Sequence, residues 1–353
     1  MESLTDTHLN LENPENNHMN EGILSAIGNT PLIKLTRIFP NLHFNLYAKL
    51  EAMNPSGSMK DRPAYNILKR GMDAGLIKAD TVIVESSSGN MGMGLAQACA
   101  YFGLRLVCVV DPKITSQNLR LLKTYGAEVD MVLEPDAASH EYLQARIDRV
   151  QELRSLIENS FWPDQYSSEW NSSAHHQTMH EIVVSLGQPA DYVFCATSTC
   201  GTMRGCAEYL REHDLHTKII AVDAVGSTIF GCGDKKKRLI PGHGAAVRPG
   251  LYQHGLADRC VHVTDWDCVV GCRRLVRLEA VLAGGSSGAL IAAVEREMHS
   301  IPAGATCVLI LPDRGERYLD TIYSDDWIAE NFGEVSDLWF DNMEATPCLT
   351  ATY

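Results

Sequence analysis

The sequence predicts an α/β fold in which a largely parallel sheet carries helices on both faces. Short apolar runs bounded by turn residues recur along the chain, and each is followed or preceded by a helical pattern. A hydrophobic content of 45% and a charged content of 21% are typical of a globular protein, and 353 residues are enough for two domains. Because strands and helices alternate, we expect parallel pairing, with ligand-binding loops at the carboxyl ends of the strands.

The predicted elements begin after a polar segment. Residues 1–20 contain few large apolar residues, so we expect a disordered tail there. The first half of the chain then predicts three strands and two helices: the strand Thr81–Glu85, the helix Gly89–Gly103, the strand Arg105–Val110, the helix Ser116–Tyr125 and the strand Glu128–Leu133. The second half predicts the strands Tyr192–Ala196, Lys218–Asp223 and Thr306–Leu311. We expect a second tail over residues 331–353, which show no clear period.

Charge and cysteine usage exclude several classes of protein. The net charge is −14, from 30 basic and 44 acidic residues, whereas nucleic-acid binders and proteins of anionic membranes need a basic surface. The 11 cysteines show no zinc-ligand spacing, so we expect reduced thiols and no metal site. We find no signal-peptide pattern at the start and no apolar run long enough to span a membrane. These features favour a cytoplasmic protein.

One lysine lies in an unusual setting. The segment Asn54–Arg62 (NPSGSMKDR) leads into a helix that begins near Lys60. This end of a helix already carries partial positive charge, so it is a poor place for an ammonium group. The default interpretation is an ordinary surface lysine. The alternative is a lysine whose ammonium form is destabilised, so that its amine can attack an aldehyde.

Two other loops each follow a predicted strand and open a helix. Glu85–Gly92 (ESSSGNMG) offers three hydroxyls, an amide and backbone N–H groups, which suit a carboxylate, whereas a plain N-cap needs only one serine. Thr197–Gly205 (TSTCGTMRG) offers hydroxyls and glycine N–H groups, which suit a phosphate. It is not a Walker A loop, and the missing GxGxxG motif disfavours a nicotinamide dinucleotide. Pyridoxal 5′-phosphate (PLP) and an amino acid together need an amine, a carboxylate-binding site and a phosphate-binding site.

Six segments occur in a characteristic order: Ile27–Leu35 (IGNTPLIKL), NPSGSMKDR, ESSSGNMG, STCGT, Gly284–Ala289 (GGSSGA) and Leu311–Asp320 (LPDRGERYLD). Over about residues 21–330 the chain thereby resembles the cysteine synthase and cystathionine β-synthase family of fold-type II PLP enzymes. The resemblance implies the tryptophan synthase β-like fold, two open twisted α/β domains with PLP between them. It implies a smaller mobile domain over 54–163, a larger PLP-binding domain from 21–53 plus 164–330, and a homodimer.

The resemblance also implies roles for individual residues. Lys60 would form the Schiff base with PLP and act as general base. The substrate carboxylate would lie among Ser87, Ser88, Asn90 and Met91, with Asn90 also near PLP. The remaining PLP contacts would be Ser198, Thr199, Cys200, Gly201, Thr202 and Ser286. The implied reaction is β-replacement on a serine-derived amino acid, in which the β-substituent leaves, an α-aminoacrylate forms and a nucleophile adds.

One segment departs from the family pattern. Many members have a serine shortly after the final Leu-Pro, facing the pyridine nitrogen of PLP, but here Pro312 is followed by Asp313 and Arg314. An aspartate would protonate that nitrogen, whereas an arginine would keep it unprotonated. Ser286 is a third candidate for this contact. The sequence leaves the choice among the three open.

Several details resemble one branch of the family, the N-(2-amino-2-carboxyethyl)-L-glutamate synthases. They are SMKDRPA, STCGT, RLIPGHGA (Arg238–Ala245) and PDRGERYLD. This branch supplies 2,3-diaminopropionate for siderophores and antibiotics, and it implies O-phospho-L-serine and L-glutamate as substrates. Among nearby cations (Lys237, Arg238, Arg248) we expect Arg248 to contact the phosphate of the substrate, while His243 has a loop-stabilising role as its default interpretation. The alternatives are a cysteine synthase using sulfide with O-acetylserine or O-phosphoserine, and a non-catalytic PLP-binding regulator.

Overall fold

The computed structural model describes residues 21–137, 142–231 and 238–333. The predicted N-terminal tail, Lys237 and nearly all of the predicted C-terminal tail lie outside these ranges. The ten strands of the described ranges are β1 (Leu32–Lys34), β2 (Asn45–Leu50), β3 (Val82–Ser86), β4 (Arg105–Val110), β5 (Glu128–Met131), β6 (Ser160–Phe161), β7 (Tyr192–Ala196), β8 (Lys218–Ala224), β9 (Arg259–Val263) and β10 (Thr306–Leu311).

Nine α-helices accompany these strands within the described ranges: α1 (Asp61–Asp73), α2 (Asn90–Phe102), α3 (Ser116–Thr124), α4 (Tyr142–Leu156), α5 (Glu169–Leu186), α6 (Gly201–Glu212), α7 (Asp265–Glu279), α8 (Gly285–Glu297) and α9 (Asp325–Phe332). Short 3-10 helices cover Ile23–Ala26, Glu51–Met53, Met298–Ser300 and Gly315–Tyr318. None of the helices in the described ranges is both long enough and apolar enough to cross a membrane. Helix α9 includes the first two residues of the predicted C-terminal tail.

The strands form two sheets. The larger sheet has six strands in the order β1-β2-β10-β7-β8-β9, and the smaller has four in the order β5-β4-β3-β6. All neighbours pair in parallel except β1, which is antiparallel to β2. The predicted α/β fold with parallel sheets is therefore confirmed. The small sheet lies wholly within residues 54–163, although the domain boundaries and the mobility of that domain stay predictions.

Burial explains why the apolar runs form central strands. Every residue of β3 and of β10 is buried, as expected for parallel strands that have helices on both faces. Two apolar clusters cover the faces of the large sheet, and two more cover those of the small sheet. Helices α7 and α8 pack so closely that a Cβ on Gly288 would lie 1.9 Å from the carbonyl oxygen of Cys268. A Gly288→Ala change would force these helices apart.

The strand order decides where the loops lie. Strand β2, near the start of the chain, pairs along its whole length with β10 near the end, from Asn45↔Thr306 to Leu50↔Leu311. The loop after β2, which contains Lys60, therefore lies beside the loop after β10, which contains Asp313. An isolated antiparallel bridge between Ser58 and Asp313 joins the two loops. Residues far apart in the sequence thus meet at the carboxyl ends of neighbouring strands of the large sheet.

Candidate active site

Lys60 occupies the N-cap position of α1, as the sequence predicted for a lysine at a helix start. Its loop is fixed to the end of β10, since the backbone N–H of Met59 donates to Pro312 O at 2.8 Å. Burial lowers the pKa of Lys60 to about 8, although electrostatic interactions with Asp313 and, more weakly, with Cys200 oppose that shift. At pH 7 roughly a tenth of such amines are neutral, so a nucleophilic form is present without any further base.

An ion cluster of Lys49, Glu51, Arg62 and Glu181 lies behind Lys60. Arg62 bridges both carboxylates, with Nε 2.7 Å from Glu51 Oε2 and Nη2 2.7 Å from Glu181 Oε2. Lys49 Nζ lies 2.6 Å from Glu181 Oε2 and donates to Thr30 O at 2.6 Å. Burial alone would raise the pKa of Glu181, but the hydrogen bonds and charges of Arg62 and Lys49 lower it to about 2. Two cations balance two anions, and the cluster ties α1 to β2 and α5.

An aspartate cluster of Asn90, Asp313, Arg317 and Tyr318 also contacts the lysine loop, through Ser56 and Ser58. Asp313 Oδ2 accepts hydrogen bonds from Asn90 Nδ2 at 2.8 Å and from Tyr318 Oη at 2.5 Å. Arg317 donates to Asn90 Oδ1 and to Ser56 O. Asp313 is buried, and its Oδ1 has no hydrogen-bond partner among the described residues. Burial raises the pKa of Asp313, although its polar partners and Lys60 oppose the rise.

Arg314 and Ser286 differ from Asp313 in what they contact. Arg314 turns away from the lysine and donates to Ala52 O from Nε and Nη2, at 3.3 and 3.0 Å. Ser286 is buried in the first turn of α8, and neighbouring Gly284 lies so close to Asp313 that a Cβ there would be 2.1 Å from Asp313 Oδ1. Among the three residues considered for the pyridine nitrogen, only Asp313 therefore presents a buried, unpartnered acceptor.

The loop before α2 contains the residues predicted around a carboxylate. Ser87 Oγ accepts from the backbone N–H of Gly92 at 2.9 Å, which satisfies one free donor of the first helical turn. Ser88 Oγ instead accepts from Arg146 Nη1 at 3.3 Å, and Arg146 Nε lies 3.3 Å from Asp111 Oδ2. The side chain of Met91 is buried in the apolar cluster of the small domain, so only its backbone can serve a ligand. The loop thus combines a cap with an arginine that the sequence did not reveal.

The loop before α6 contains the residues predicted around a phosphate. Cys200 adopts a left-handed conformation with φ of 66°, which turns the chain into the helix. A side chain at Gly201 is excluded, because a Cβ there would lie 2.4 Å from Asn171 Oδ1. Thr199 Oγ1 accepts from the backbone N–H of Gly201 at 3.3 Å, and Thr202 Oγ1 lies 3.9 Å from Met59 Sδ. The N-cap residue Cys200 makes no capping hydrogen bond through its side chain, so the N–H groups that follow Gly201 in the first turn of α6 are open to an anion.

Two further predicted residues lie farther from the lysine. Arg248 is exposed, and its guanidinium carbon lies 4.9 Å from the ring centre of Tyr252. Its charge reaches the phosphate loop, since burial raises the pKa of Cys200 to about 12 while Lys60 and Arg248 oppose that rise. His243 is buried, and neither ring nitrogen has a hydrogen-bond partner in the described ranges. Hydrogen bonds from its ring therefore do not stabilise its loop here.

The arrangement fits PLP on features of the residues themselves. The amine of lowered pKa suits the aldehyde of PLP, and the helix N-terminus without a side-chain cap suits its phosphate. The buried carboxylate oxygen without a partner suits a protonated ring nitrogen. Electrostatic interactions of Lys60 with Asp313 and Cys200 show that the three elements share one site. Within the described ranges, no cluster of three or more His, Cys, Asp or Glu residues could hold a metal ion.

Sequence reasoning missed four residues of this region: Arg146, His175, Arg317 and Tyr318. Arg317 and Tyr318 lie inside the LPDRGERYLD segment, so the motif contained them but gave no sign of their contacts with Asn90 and Asp313. Arg146 reaches Ser88 from the middle of α4, and His175 reaches Thr202 from α5. Contacts between distant elements leave no local signal in a single sequence.

Comparison with known proteins gives consistent results. The model of the family "Pyridoxal-phosphate dependent enzyme" matches residues 23–313. An O-ureido-L-serine synthase structure is similar with a TM-score of 0.81 and 28% identity, over 91% of this chain and 98% of that one. O-acetylserine sulfhydrylase isoform 3 from Entamoeba histolytica is similar with a TM-score of 0.80 and 30% identity, over 88% of this chain and 93% of that one. An O-acetylserine-dependent cystathionine β-synthase from Helicobacter pylori is similar with a TM-score of 0.80 and 29% identity, over 87% of this chain and 100% of that one.

Proposed function

Because this chain belongs to the pyridoxal-phosphate dependent enzymes, and among them to the β-replacing cysteine synthase family, we propose that it joins O-phospho-L-serine to L-glutamate. The products would be N-(2-amino-2-carboxyethyl)-L-glutamate and phosphate, a route to 2,3-diaminopropionate for siderophores or antibiotics. When bound, the cofactor supplies an electron sink that acidifies the α-carbon of the amino-acid substrate. The family assignment favours an enzyme over the non-catalytic regulator considered from the sequence.

In this proposal Lys60 has two tasks. Its amine holds the cofactor aldehyde, and after the substrate amine has displaced it, it removes and returns the α-proton. A pKa of about 8 suits both tasks, because the amine is partly neutral at physiological pH and still basic enough to accept a proton. The phosphate would bind at the free N–H groups of α6, beside Ser198, Thr199, Cys200, Gly201 and Thr202.

Asp313 would face the pyridine nitrogen and hold a proton there through its unpartnered Oδ1. Asn90 and Tyr318 fix the other carboxylate oxygen, so the side chain is already oriented before any ligand arrives. The substrate carboxylate would bind at the start of α2, to the hydroxyls of Ser87 and Ser88 and to the backbone N–H of Met91. Closure of the small domain over a bound substrate would exclude water from the reaction.

The observation that carries the choice of substrates is an arginine in contact with the carboxylate loop. A second arginine, Arg238, donates to His243 O at 3.5 Å, and the charges of Arg146 and Arg238 both oppose the rise that burial causes in the pKa of Tyr166. Arg146 also donates to Ser88 Oγ. A phosphoryl leaving group and the second carboxylate of glutamate both need cations, whereas acetyl and sulfide groups do not. Such a pair favours anionic substrates in a chain with a net charge of −14.

The test is product analysis by mass spectrometry. The enzyme is incubated with O-phospho-L-serine or O-acetyl-L-serine, each with glutamate, other amino acids or sulfide in separate reactions. From O-phospho-L-serine with glutamate we expect N-(2-amino-2-carboxyethyl)-L-glutamate and inorganic phosphate. Arg146→Gln and Arg238→Gln should raise the KM of at least one substrate about tenfold, with exposed Arg211→Gln as the matched control. Arg248→Ala should raise the KM for phosphoserine, and an unchanged KM would remove Arg248 from the phosphate contacts.

A cysteine synthase is the second candidate. The supporting observation is the similarity to two Entamoeba histolytica enzymes, an O-acetylserine sulfhydrylase and a cysteine synthase, at 30% and 32% identity. Faster formation of cysteine from sulfide than of any amino-acid adduct would establish this activity and contradict the glutamate reaction. The two arginine variants add a second criterion, because the consumption of neutral hydrogen sulfide should not depend on them.

A further inference from the structure

A buried histidine lies directly behind the phosphate loop. His175 belongs to α5 and has no exposed surface. Its Nε2 lies 3.3 Å from Oγ1 of Thr202, and its Nδ1 lies 3.1 Å from Oγ1 of Thr178. Both ring nitrogens therefore contact hydroxyl groups, and each hydroxyl can either donate or accept.

The protonation state of His175 limits the hydrogen-bond pattern. Burial lowers the pKa of His175 well below its usual value, and the nearby charges of Lys60, Arg62 and His176 act in the same direction. The ring is therefore neutral at physiological pH, with one nitrogen as donor and the other as acceptor. If Nδ1 carries the proton, Nε2 must accept the Thr202 proton. If Nε2 carries it, the Thr202 hydroxyl is free to donate elsewhere.

The surroundings of Thr202 favour the second arrangement. The other neighbour of its Oγ1 is Met59 Sδ at 3.9 Å, and a thioether can only accept. A hydroxyl proton held by so weak an acceptor is readily transferred to a phosphate oxygen, which forms a much stronger charge-assisted hydrogen bond. Thr178 can supply the complementary pattern by donating its own proton to Nδ1. A consistent chain of donors then runs from Thr178 through His175 to Thr202.

We propose that His175 is a positioning residue: as the neutral Nε2–H tautomer it donates to Thr202 Oγ1 and so reserves the Thr202 proton for the cofactor phosphate. This rests on the proposed function, specifically on the phosphate lying at the loop before α6. The role differs from general packing, since it requires one tautomer and acts through one hydroxyl. It also links the phosphate loop to the lysine loop, because Thr202 contacts the residue before Lys60.

The first measurement leaves the protein unchanged. Two-dimensional ¹H–¹⁵N NMR of holoenzyme labelled at histidine nitrogens identifies the protonated nitrogen of each ring, and the His175 signals are those missing from a His175→Gln spectrum. We expect His175 to be neutral with the proton on Nε2 across the range in which the enzyme is folded. A proton on Nδ1 in the holoenzyme would overturn the proposal.

The second measurement is a double-mutant cycle on cofactor binding. The dissociation constant of PLP from apoenzyme and the ³¹P chemical shift of bound PLP are measured for His175→Phe, Thr202→Val and the double variant. Each single change should weaken binding about ten- to a hundredfold, as expected for one hydrogen bond to a charged group, and should move the ³¹P signal. The double variant should lose no more than Thr202→Val alone, because His175 acts only through the hydroxyl that this change removes.

Matched variants separate this role from a structural one. His175→Gln retains an N–H donor and should recover part of the lost affinity. His180→Phe removes a histidine of the same helix whose Nδ1 lies 3.0 Å from Tyr209 Oη, and it should leave both the affinity and the ³¹P signal unchanged. If Thr202→Val weakens binding but His175→Phe does not, the phosphate site stands and the role of His175 is wrong. If Thr202→Val has no effect, the phosphate assignment fails, and this proposal fails with it.

Discussion

Two polar clusters lie close to the lysine loop, and they differ in how completely their hydrogen bonds are satisfied. In the ion cluster, two cations and two carboxylates pair at 2.6 to 2.7 Å. Backbone and side-chain donors occupy the remaining carboxylate positions, as Asn29 does for Glu181 and Asn54 for Glu51. In the aspartate cluster, one oxygen of Asp313 accepts two hydrogen bonds, while the other has no partner among the described residues.

This difference separates structure from function. A buried polar group without a partner destabilises the fold by about 1–3 kcal/mol, so it persists where a ligand completes the site. The saturated ion cluster offers nothing to a ligand, and its removal should weaken the fold. The incomplete aspartate cluster should contribute little to the stability of the apo protein and much to its chemistry. Each cluster can be changed separately by mutation, and the effects can be compared with that of replacing Lys60.

Replacing Lys60 should produce the largest effect. Lys60→Ala removes both the covalent link to the cofactor and the base for the α-proton, so turnover should fall about a thousandfold or more. Borohydride reduction followed by intact-protein mass spectrometry should detect the cofactor attached to the wild type and none attached to the variant. The exposed lysine variant Lys34→Ala should behave as the wild type. Covalent attachment of the cofactor to the Lys60→Ala variant would show that another lysine carries the reactive amine.

The ion cluster should respond in stability. Glu181→Gln leaves Lys49 and Arg62 with an excess of buried positive charge, so the free energy of unfolding in urea should fall by about 3 kcal/mol. The contribution of Glu181 also depends on pH. Because its folded pKa of about 2 lies below the usual value of 4.5, its contribution is complete above pH 4.5 and disappears as the pH falls towards 2. A Glu181→Gln protein as stable as the wild type at pH 7 would refute the structural role of this cluster.

The aspartate cluster should respond in the opposite way. Asp313→Asn keeps the shape and removes the charge, so kcat/KM should fall roughly tenfold to a hundredfold, as expected for one charge-assisted hydrogen bond. The apo protein should unfold at an equal or higher urea concentration, because an unpartnered buried carboxylate is gone. The pH dependence of the visible absorbance of the bound cofactor should also change. A loss of apo stability comparable with that of Glu181→Gln would remove the distinction between the clusters.

A third buried carboxyl should give the smallest effect. Glu85 accepts from Trp162 Nε1 at 3.2 Å and from the backbone N–H of Ser86 at 2.8 Å, while its Oε2 has no partner in the described ranges. Burial raises the pKa of Glu85 to about 8, so the folded state retains a proton that the unfolded state has lost above pH 4.5. The stability contributed by this proton is present below pH 4.5 and declines as the pH rises towards 8.

Glu85→Gln tests this effect, because glutamine resembles the protonated acid. The variant should match the wild type at pH 4.5 and exceed it in free energy of unfolding by at least about 1 kcal/mol at pH 8. Urea titrations at four or five pH values measure the difference. Parallel curves for the two proteins would mean that Glu85 is ionised throughout, like Glu181 of the ion cluster.

The sequence predicted the fold from its buried strands. Strands β4, β7 and β10 have the predicted bounds, because their apolar runs are buried on both faces. The prediction for β3 was shifted by one residue, and the helices predicted over Gly89–Gly103 and Ser116–Tyr125 are slightly shorter in the structure. The two residues of β6 were not predicted, because their pairing with β3 is decided by the neighbouring strand and not by their own composition.

The candidate site was predicted in part. The motifs indicated Lys60 and the two loops, since amines, hydroxyls and glycines at helix starts have local signatures. The position of Asp313 beside Lys60 follows from the pairing of β2 with β10, which no local pattern reveals. His175 was not predicted, because only its distance to Thr202 distinguishes it. The choice among Ser286, Asp313 and Arg314 likewise depended on where each side chain turns.

The pairing of β2 with β10 has a consequence for biosynthesis. Lys60 is translated well before Asp313 and before the strand that fixes the lysine loop. A nascent chain that has not yet released β10 therefore contains the lysine without the surroundings that lower its pKa. The cofactor meets a complete pocket only after β10 has paired with β2. Until then the amine is more fully protonated and therefore less reactive towards an aldehyde.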